Sequence, residues 1–242
     1  MRTFLIIWLG QFASLLGSQM TGFAISIWAW EVTGQATSFS LLTVVAQIPR
    51  LAISPFAGVW VDKFNRKYLM MLGDLVAGLS TIVIVALVLS NQLQVWHLYI
   101  SGAVNGLFSY VQGLAYSASV SLLVPERHYT RAAAFESALG AGSFIVAPAA
   151  AGILYAATGL SGILCIDLVT FAIAITTLSL VTIPRPTPSE SASHQTAAAN
   201  SAIQRLTFGA RYLWHHPGLR ALICFFLINN FISGLCFTNV FP

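Results

Sequence analysis

Residues 75–125 read LVAGLSTIVIVALVLSNQLQVWHLYISGAVNGLFSYVQGLAYSASVSLLVP, without a single Asp, Glu, Lys or Arg. A helix needs roughly 20 apolar residues to cross a hydrocarbon core about 30 Å thick. This stretch is long enough for two crossings, and Asn91-Gln92-Leu93-Gln94 near its middle supplies the polar turn between them. Outward from it, residues 3–30 are equally free of charge, as are Ser137–Ile166 and Ala221–Pro242. The pattern predicts seven membrane helices near 4–30, 38–60, 69–90, 96–122, 132–157, 162–183 and 221–242.

The composition of the whole chain agrees. Of 242 residues 57% are hydrophobic and 7% charged, where a soluble domain carries about 25% charged residues. Eleven basic and seven acidic side chains cannot build a water-facing surface over so apolar a chain, whose mean hydropathy is +0.81. Soluble enzymes, soluble nucleic-acid binders and disordered chains are excluded, and the main partner is a lipid bilayer. The net charge of +4 then reports loop placement rather than a nucleic-acid partner. The first apolar run, Thr3–Trp30, is far longer than the about 7–15 residues of a signal-peptide core, and no A-x-A-like site ends it before Glu31, so it reads as a retained helix.

Taking the connections alternately, one set holds Arg2, Lys63, Arg66, Lys67, Arg127, Arg131, Arg185, Arg205, Arg211 and Arg220. The other set, around Glu31–Thr37, Asn91–Gln94 and Thr158–Gly159, holds none, and of the eleven basic residues only Arg50 is left inside a helix. This bias predicts a multi-pass protein of the cell membrane with a cytoplasmic N-terminus. Pro184–Asn200 (PRPTPSESASHQTAAAN) has the composition of a linker. Ile203, Leu206, Phe208, Tyr212 and Leu213 recur after it at helical spacing, as in an amphipathic helix lying on the membrane, and His215-His216-Pro217-Gly218 ends that segment. The expected organisation is thus a six-helix bundle over residues 1–183, a cytoplasmic linker with an amphipathic helix over 184–220, and a further helix over 221–242. Cys165, Cys224 and Cys236 lie in apolar runs without metal or redox spacing, and the paired histidines have no third ligand nearby. No metal and no cofactor is expected.

The connection between the second and third helices, residues 58–67, reads GVWVDKFNRK. Here Gly58 suits a close helix approach, Asp62 suits a helix cap, and Lys63, Arg66 and Lys67 suit an anionic membrane face. The loop resembles the G-x-x-x-D-R-x-G-R-R gating loop of major facilitator superfamily transporters. Further stretches are similar to the branch of efflux permeases that includes enterobactin and macrolide exporters: WLGQ (8–11), LGSQMT (16–21), LAISPFAG (51–58), VPE (124–126), Asp167 with Phe171, GARY (209–212) and HPGLR (216–220). In the fifth helix SFIVAPAAAG (143–152) is similar to the G-P-x-x-G-G motif of drug/proton antiporters, with Pro148 and Gly152 in place and Ala147 and Ala151 standing for glycines. In the fourth, SYVQG (109–113) matches the antiporter R-x-x-Q-G pattern except that Ser109 takes the arginine position.

Ionisable residues inside a membrane are costly and mark function. There are four here. Arg50 and Asp74 stand at matched depth on consecutive helices, which predicts a buried ion pair. Glu136 is five residues past Arg131, near enough to the surface to snorkel or to pair with Arg131 or Arg127. Asp167 has no basic residue near its end of the sixth helix, and a carboxyl group so isolated is the first candidate for carrying a proton. Polar residues on apolar helices, Gln11, Gln19, Gln47, Asn105 and Gln112, are candidates for substrate contact, with Trp28, Phe108, Tyr110 and Tyr116 as aromatic surface. In major facilitator proteins the first and fourth helices line the cavity, and that resemblance selects Gln11, Gln19, Asn105 and Gln112.

The resemblance implies an all-α membrane protein: a six-helix major-facilitator half with a seventh helix beginning an incomplete second half. It implies secondary-active efflux of small amphipathic compounds, drugs or siderophores, by alternating access coupled to protons, in a truncated form or with a second transporter half as partner. The alternative is a non-transporting membrane partner or an inactive half-transporter. No H-E-x-x-H, G-x-S-x-G, Walker or C-x-x-C sequence points to an enzyme.

Overall fold

The structure is a computed structural model, and it describes residues 2–181, 212 and 214–240. The linker and its amphipathic helix lie outside the described residues, apart from Tyr212 and residues 214–220. Among the described residues every regular element is helical: α1 (Arg2–Thr33), α2 (Ala36–Lys63), α3 (Arg66–Leu89), α4 (Val95–Leu123), a 3₁₀ turn (Glu126–His128), α5 (Tyr129–Leu180) and α6 (Pro217–Val240). The chain forms two units, divided between Pro186 and Thr187.

The punctuation follows local chemistry. After α1 the Gly34 N–H bonds the Trp30 carbonyl at 2.8 Å with Gly34 at φ 62°, a left-handed helix ending. Asn91 adopts φ 54° after α3, so the polar tetrapeptide does make the turn, as Asn is suited to do. Pro125 follows the end of α4, and α6 opens on Pro217, where a missing N–H costs nothing. That start is four residues ahead of the expected 221.

α5 is continuous helix except at Gly159, where φ 65° and ψ −168° break it. Contacts with α1 show that the chain reverses there. On the first arm (129–158), the Phe135 carbonyl accepts from Trp8 and the Tyr155 hydroxyl bonds Glu31, so this arm runs alongside α1 in the same direction. On the second arm (160–180), Asp167 lies against Gly17 and Thr177 against Gly10, which is the opposite direction. The expected fifth and sixth helices are therefore these arms, with a hinge of one glycine instead of a loop.

Large apolar residues cover the outside: Ile145 and Ile153 are 72% and 75% exposed, which suits hydrocarbon and not water. Four helical stretches, Thr3–Thr33, Ser40–Lys63, Arg66–Leu89 and Glu126–Leu180, are long and apolar enough to cross a membrane. Inside the bundle, one apolar cluster (Ile7, Ala57, Val61, Leu69, Met70, Val111, Ala115, Leu178, Val181) lies toward the end that carries Lys63–Lys67, hereafter the basic end. A second (Met20, Ala24, Ile84, Leu98, Ala147, Ala151, Leu160, Ile163, Leu164) fills the opposite end. The polar interior lies between them.

Candidate functional site

α3 positions both central carboxylates. Its buried face carries Met70, Gly73, Asp74, Gly78, Thr81 and Ile84, a helical stripe in which Asp74 and Thr81 stand two turns, about 10 Å, apart. Asp74 is buried and takes three donors: Gln112 Nε2 at 2.8 Å and Ser14 Oγ at 3.3 Å on Oδ1, and Gln11 Nε2 at 3.0 Å on Oδ2. Gln112 Nε2 also reaches Gln11 Oε1 at 3.1 Å. Residues of α1, α3 and α4 thus form one closed network about 12–16 Å from the basic end, counted in helical rise. Both carboxylate oxygens are satisfied, as buried polar groups must be.

Asp167, on the second arm of α5, is 1% exposed and less completely bonded. Thr81 Oγ1 donates to its Oδ2 at 3.1 Å, while Oδ1 has no hydrogen-bond partner. The Thr21 hydroxyl is likewise buried without a hydrogen-bond partner. Gly17 makes this packing possible, because an added Cβ there would lie 2.7 Å from Asp167 Oδ1 and 3.2 Å from Asp167 Cα. The group sits about 20 Å from the basic end, beyond Asp74 along the same helical interface.

The expected pairing of Arg50 with Asp74 does not form. Arg50 is exposed, its guanidinium lies 5.3 Å from the Tyr110 ring centroid, and Nη1 reaches Gln47 Oε1 at 3.4 Å. The reason is packing order: α2 lies chiefly against α4, with little contact to its sequence neighbour α3. Matched depth on consecutive helices did not mean adjacency. Glu136 likewise takes no bond from Arg127 or Arg131, and its Oε1 is buried without a partner.

Of the four cavity candidates, Gln11 and Gln112 join the Asp74 network. Asn105 donates to Ser101 at 3.2 Å with its Oδ1 unpartnered, and Gln19 is exposed. In the basic loop, Arg66 Nη1 donates to the Ala118 carbonyl of α4 at 2.7 Å, and Lys67 Nζ to the Ser179 and Val181 carbonyls ending α5 at 3.0 and 2.7 Å. Cations there complement the negative ends of two helices. The cap of α3 is Asn65, whose side chain accepts from the Lys67 N–H at 3.0 Å, and not Asp62, which is exposed, as is Lys63. Gly58 meets open space instead of a neighbouring helix.

In the α5 motif the buried face is Ser143, Ala147 and Ala151, packed toward α1. Pro148 is half-buried within regular helix, and Gly152 is exposed with nothing near it. The only residue of α5 with non-helical backbone angles is Gly159. Sequence reading missed Ser14 and Thr81 as partners of the buried carboxylates. Spacing held a signal for both: Ser14 is one turn past Gln11, and Thr81 two turns past Asp74.

An apolar exterior over an interior polar layer, held on carboxyl and amide groups, is the build of a polytopic membrane protein. The description Major Facilitator Superfamily matches residues 7–242, and the chain belongs to that family. It is similar to Macrolide efflux protein A of Streptococcus pyogenes, 32% identical over 182 residues that make up 75% of this chain and 45% of that protein. Multidrug resistance protein 2 of Bacillus subtilis is 30% identical over 119 residues, 49% of this chain and 28% of that protein. Multidrug efflux pump Tap of Mycolicibacterium fortuitum is 22% identical over 221 residues, 87% of this chain and 53% of the pump. The chain thus spans about half the length, or less, of these relatives.

Proposed function

We propose that this chain works in the export of small amphipathic compounds across the plasma membrane, with macrolide-like molecules as the first class to test. The observation that carries the reading is the family match over residues 7–242 together with relatives that are efflux proteins. The polar interior supports it, since a bundle needing only to sit in lipid has no use for two buried carboxylates. In this reading the chain crosses the membrane seven times with its N-terminus in the cytoplasm, and the six-helix bundle rocks against a second half.

Within that scheme Gln11, Gln112 and Asn105 border the substrate path, with Gln19 toward the end opposite the basic loop. Gly58, Asp62, Lys63, Arg66 and Lys67 form the cytoplasmic gating loop, the last two by holding the ends of α4 and α5. Pro148 and Gly152 belong to the helix face turned from the core. Asp167, with one oxygen unpartnered, exchanges the coupling proton, whereas Asp74, bonded on both oxygens, holds three helices together.

The test is accumulation of a radiolabelled macrolide by a susceptible bacterium, with and without the chain at verified membrane expression. Lower accumulation, relieved by collapsing the proton gradient, is expected. Equal accumulation would overturn the reading. The Asp167→Asn variant is expected to reach the membrane and to lose the dependence of export on external pH.

A further inference from the structure

Arg50 has no part in either carboxylate network. It stands near the middle of Ser40–Lys63, the stretch of α2 long and apolar enough to cross a membrane, and it is exposed. Among the described residues its guanidinium rests on neutral groups alone: the Tyr110 ring of α4 at 5.3 Å and Gln47 Oε1 at 3.4 Å. A carboxyl group inside a membrane can shed its charge by taking up a proton, whereas a guanidinium keeps its charge in proteins. A lasting cation at that depth is costly, and it faces water or a counter-ion rather than hydrocarbon.

The residues around it on α2 are arranged to match. Thr43, Gln47, Arg50 and Ser54 follow one another at helical spacing and so share one face. The first three are exposed and Ser54 is half-buried. Their stripe runs for about 16 Å along the helix, most of the way through one half of a bilayer and into the other. Beside it run Val44, Ile48 and Leu51, which are 52%, 60% and 70% exposed. A polar ridge and an apolar ridge thus lie side by side, with an uncompensated cation at the centre of the polar one. Of the five N–H donors of a guanidinium, one is used on Gln47. The remaining fork fits a planar acceptor of negative charge, which it can hold through two parallel hydrogen bonds.

We propose that Arg50 is the recognition point for the carboxylate of an amphipathic organic anion. Two guanidinium N–H groups donate to the carboxylate oxygens, the Tyr110 ring and Gln47 hold the guanidinium in place, and the apolar body lies along Val44, Ile48 and Leu51. That such anions are exported rests on the function proposed above, whereas their binding requires no transport.

The experiment uses the full chain purified in a neutral detergent and two fluorescent probes of one shape: dansylaminoundecanoic acid, a carboxylate at neutral pH, and its primary amide, which is uncharged. Fluorescence-anisotropy titration is expected to show the carboxylate binding about tenfold or more tighter than the amide, the worth of one charge-assisted hydrogen bond. Arg50→Gln should bring that ratio close to one. Arg50→Lys, which keeps the charge and loses the planar fork, should retain only part of it. Gln47→Leu should weaken the carboxylate a few-fold while leaving the amide unmoved. Should Arg50→Gln fail to fold, Arg50→Lys carries the test, and an undiminished ratio there overturns the site. A ratio preserved in Arg50→Gln overturns it too, as does a wild-type chain that binds neither probe or binds both alike, the latter being the result if an acid already neutralised Arg50. A chain that binds the carboxylate selectively but leaves macrolide accumulation unchanged would refute the export reading and let the site stand. Lowered accumulation without preference for the carboxylate would do the opposite.

Discussion

At the scale of the residue, two buried carboxylates differ in how fully they are bonded. Asp74 has three donors, and removing one leaves an acceptor short. Gln112→Ala is expected to destabilise the purified protein by about 1–3 kcal/mol, seen as a lower unfolding temperature in detergent. Arg50→Ala should do far less, and the Arg50→Ala/Asp74→Ala double variant should show losses additive to within about 0.5 kcal/mol. A larger coupling would revive the ion pair that the structure breaks. Gln11, Asp74 and Gln112 were each legible in the sequence as polar residues out of place in apolar helices. That they form a single network was not legible, because the depth of a residue along a helix can be counted, whereas which helices are neighbours cannot. Arg50 shows the cost of that ignorance: its height was right and its neighbour was α4.

At the scale of the element, the charge-free runs located the helices, and the polar turn Asn91–Gln94 located the end of α3 and the start of α4. The face each helix buries was less accessible. Gly58 and Gly152 read as contact glycines by motif, yet both meet open space, while Gly17, inside a similar apolar run, touches Asp167. Gly17→Val is expected to push α1 from the second arm of α5 and cost about 1–3 kcal/mol through overpacking. Gly58→Ala and Gly152→Ala should leave the unfolding temperature of the purified chain within error. Gly159 is a different case, since its φ of 65° with ψ −168° is a conformation open essentially to glycine alone. Gly159→Ala should cost on the order of 1–3 kcal/mol and loosen the reversal between the two arms, read as increased proteolysis near residue 159.

At the scale of the whole molecule, one asymmetry organises the bundle: the basic residues of the described connections lie at a single end. Two of them bond into the fold, since Arg66 and Lys67 hold the carbonyls of α4 and α5. Lys63 is exposed and lies over the Phe64 ring at 5.9 Å. Basic loops resist translocation and are drawn to anionic lipid on the cytoplasmic side, so the basic end should face inward and the α1–α2 turn at Gln35 outward. Single cysteines placed at Gln35 and at Lys67, in a chain whose Cys165, Cys224 and Cys236 are serines, separate the possibilities. A membrane-impermeant maleimide applied to intact cells is expected to label the Gln35→Cys variant at once and the Lys67→Cys variant only after permeabilisation. Because Lys67→Cys also removes two bonds to the end of α5, Lys63→Cys, at an exposed position, serves as its control and should behave identically. Labelling of both ends in intact cells would mean that the helices do not span as an ordered set, and reversed labelling would mean that the ties made by Arg66 and Lys67 face outward.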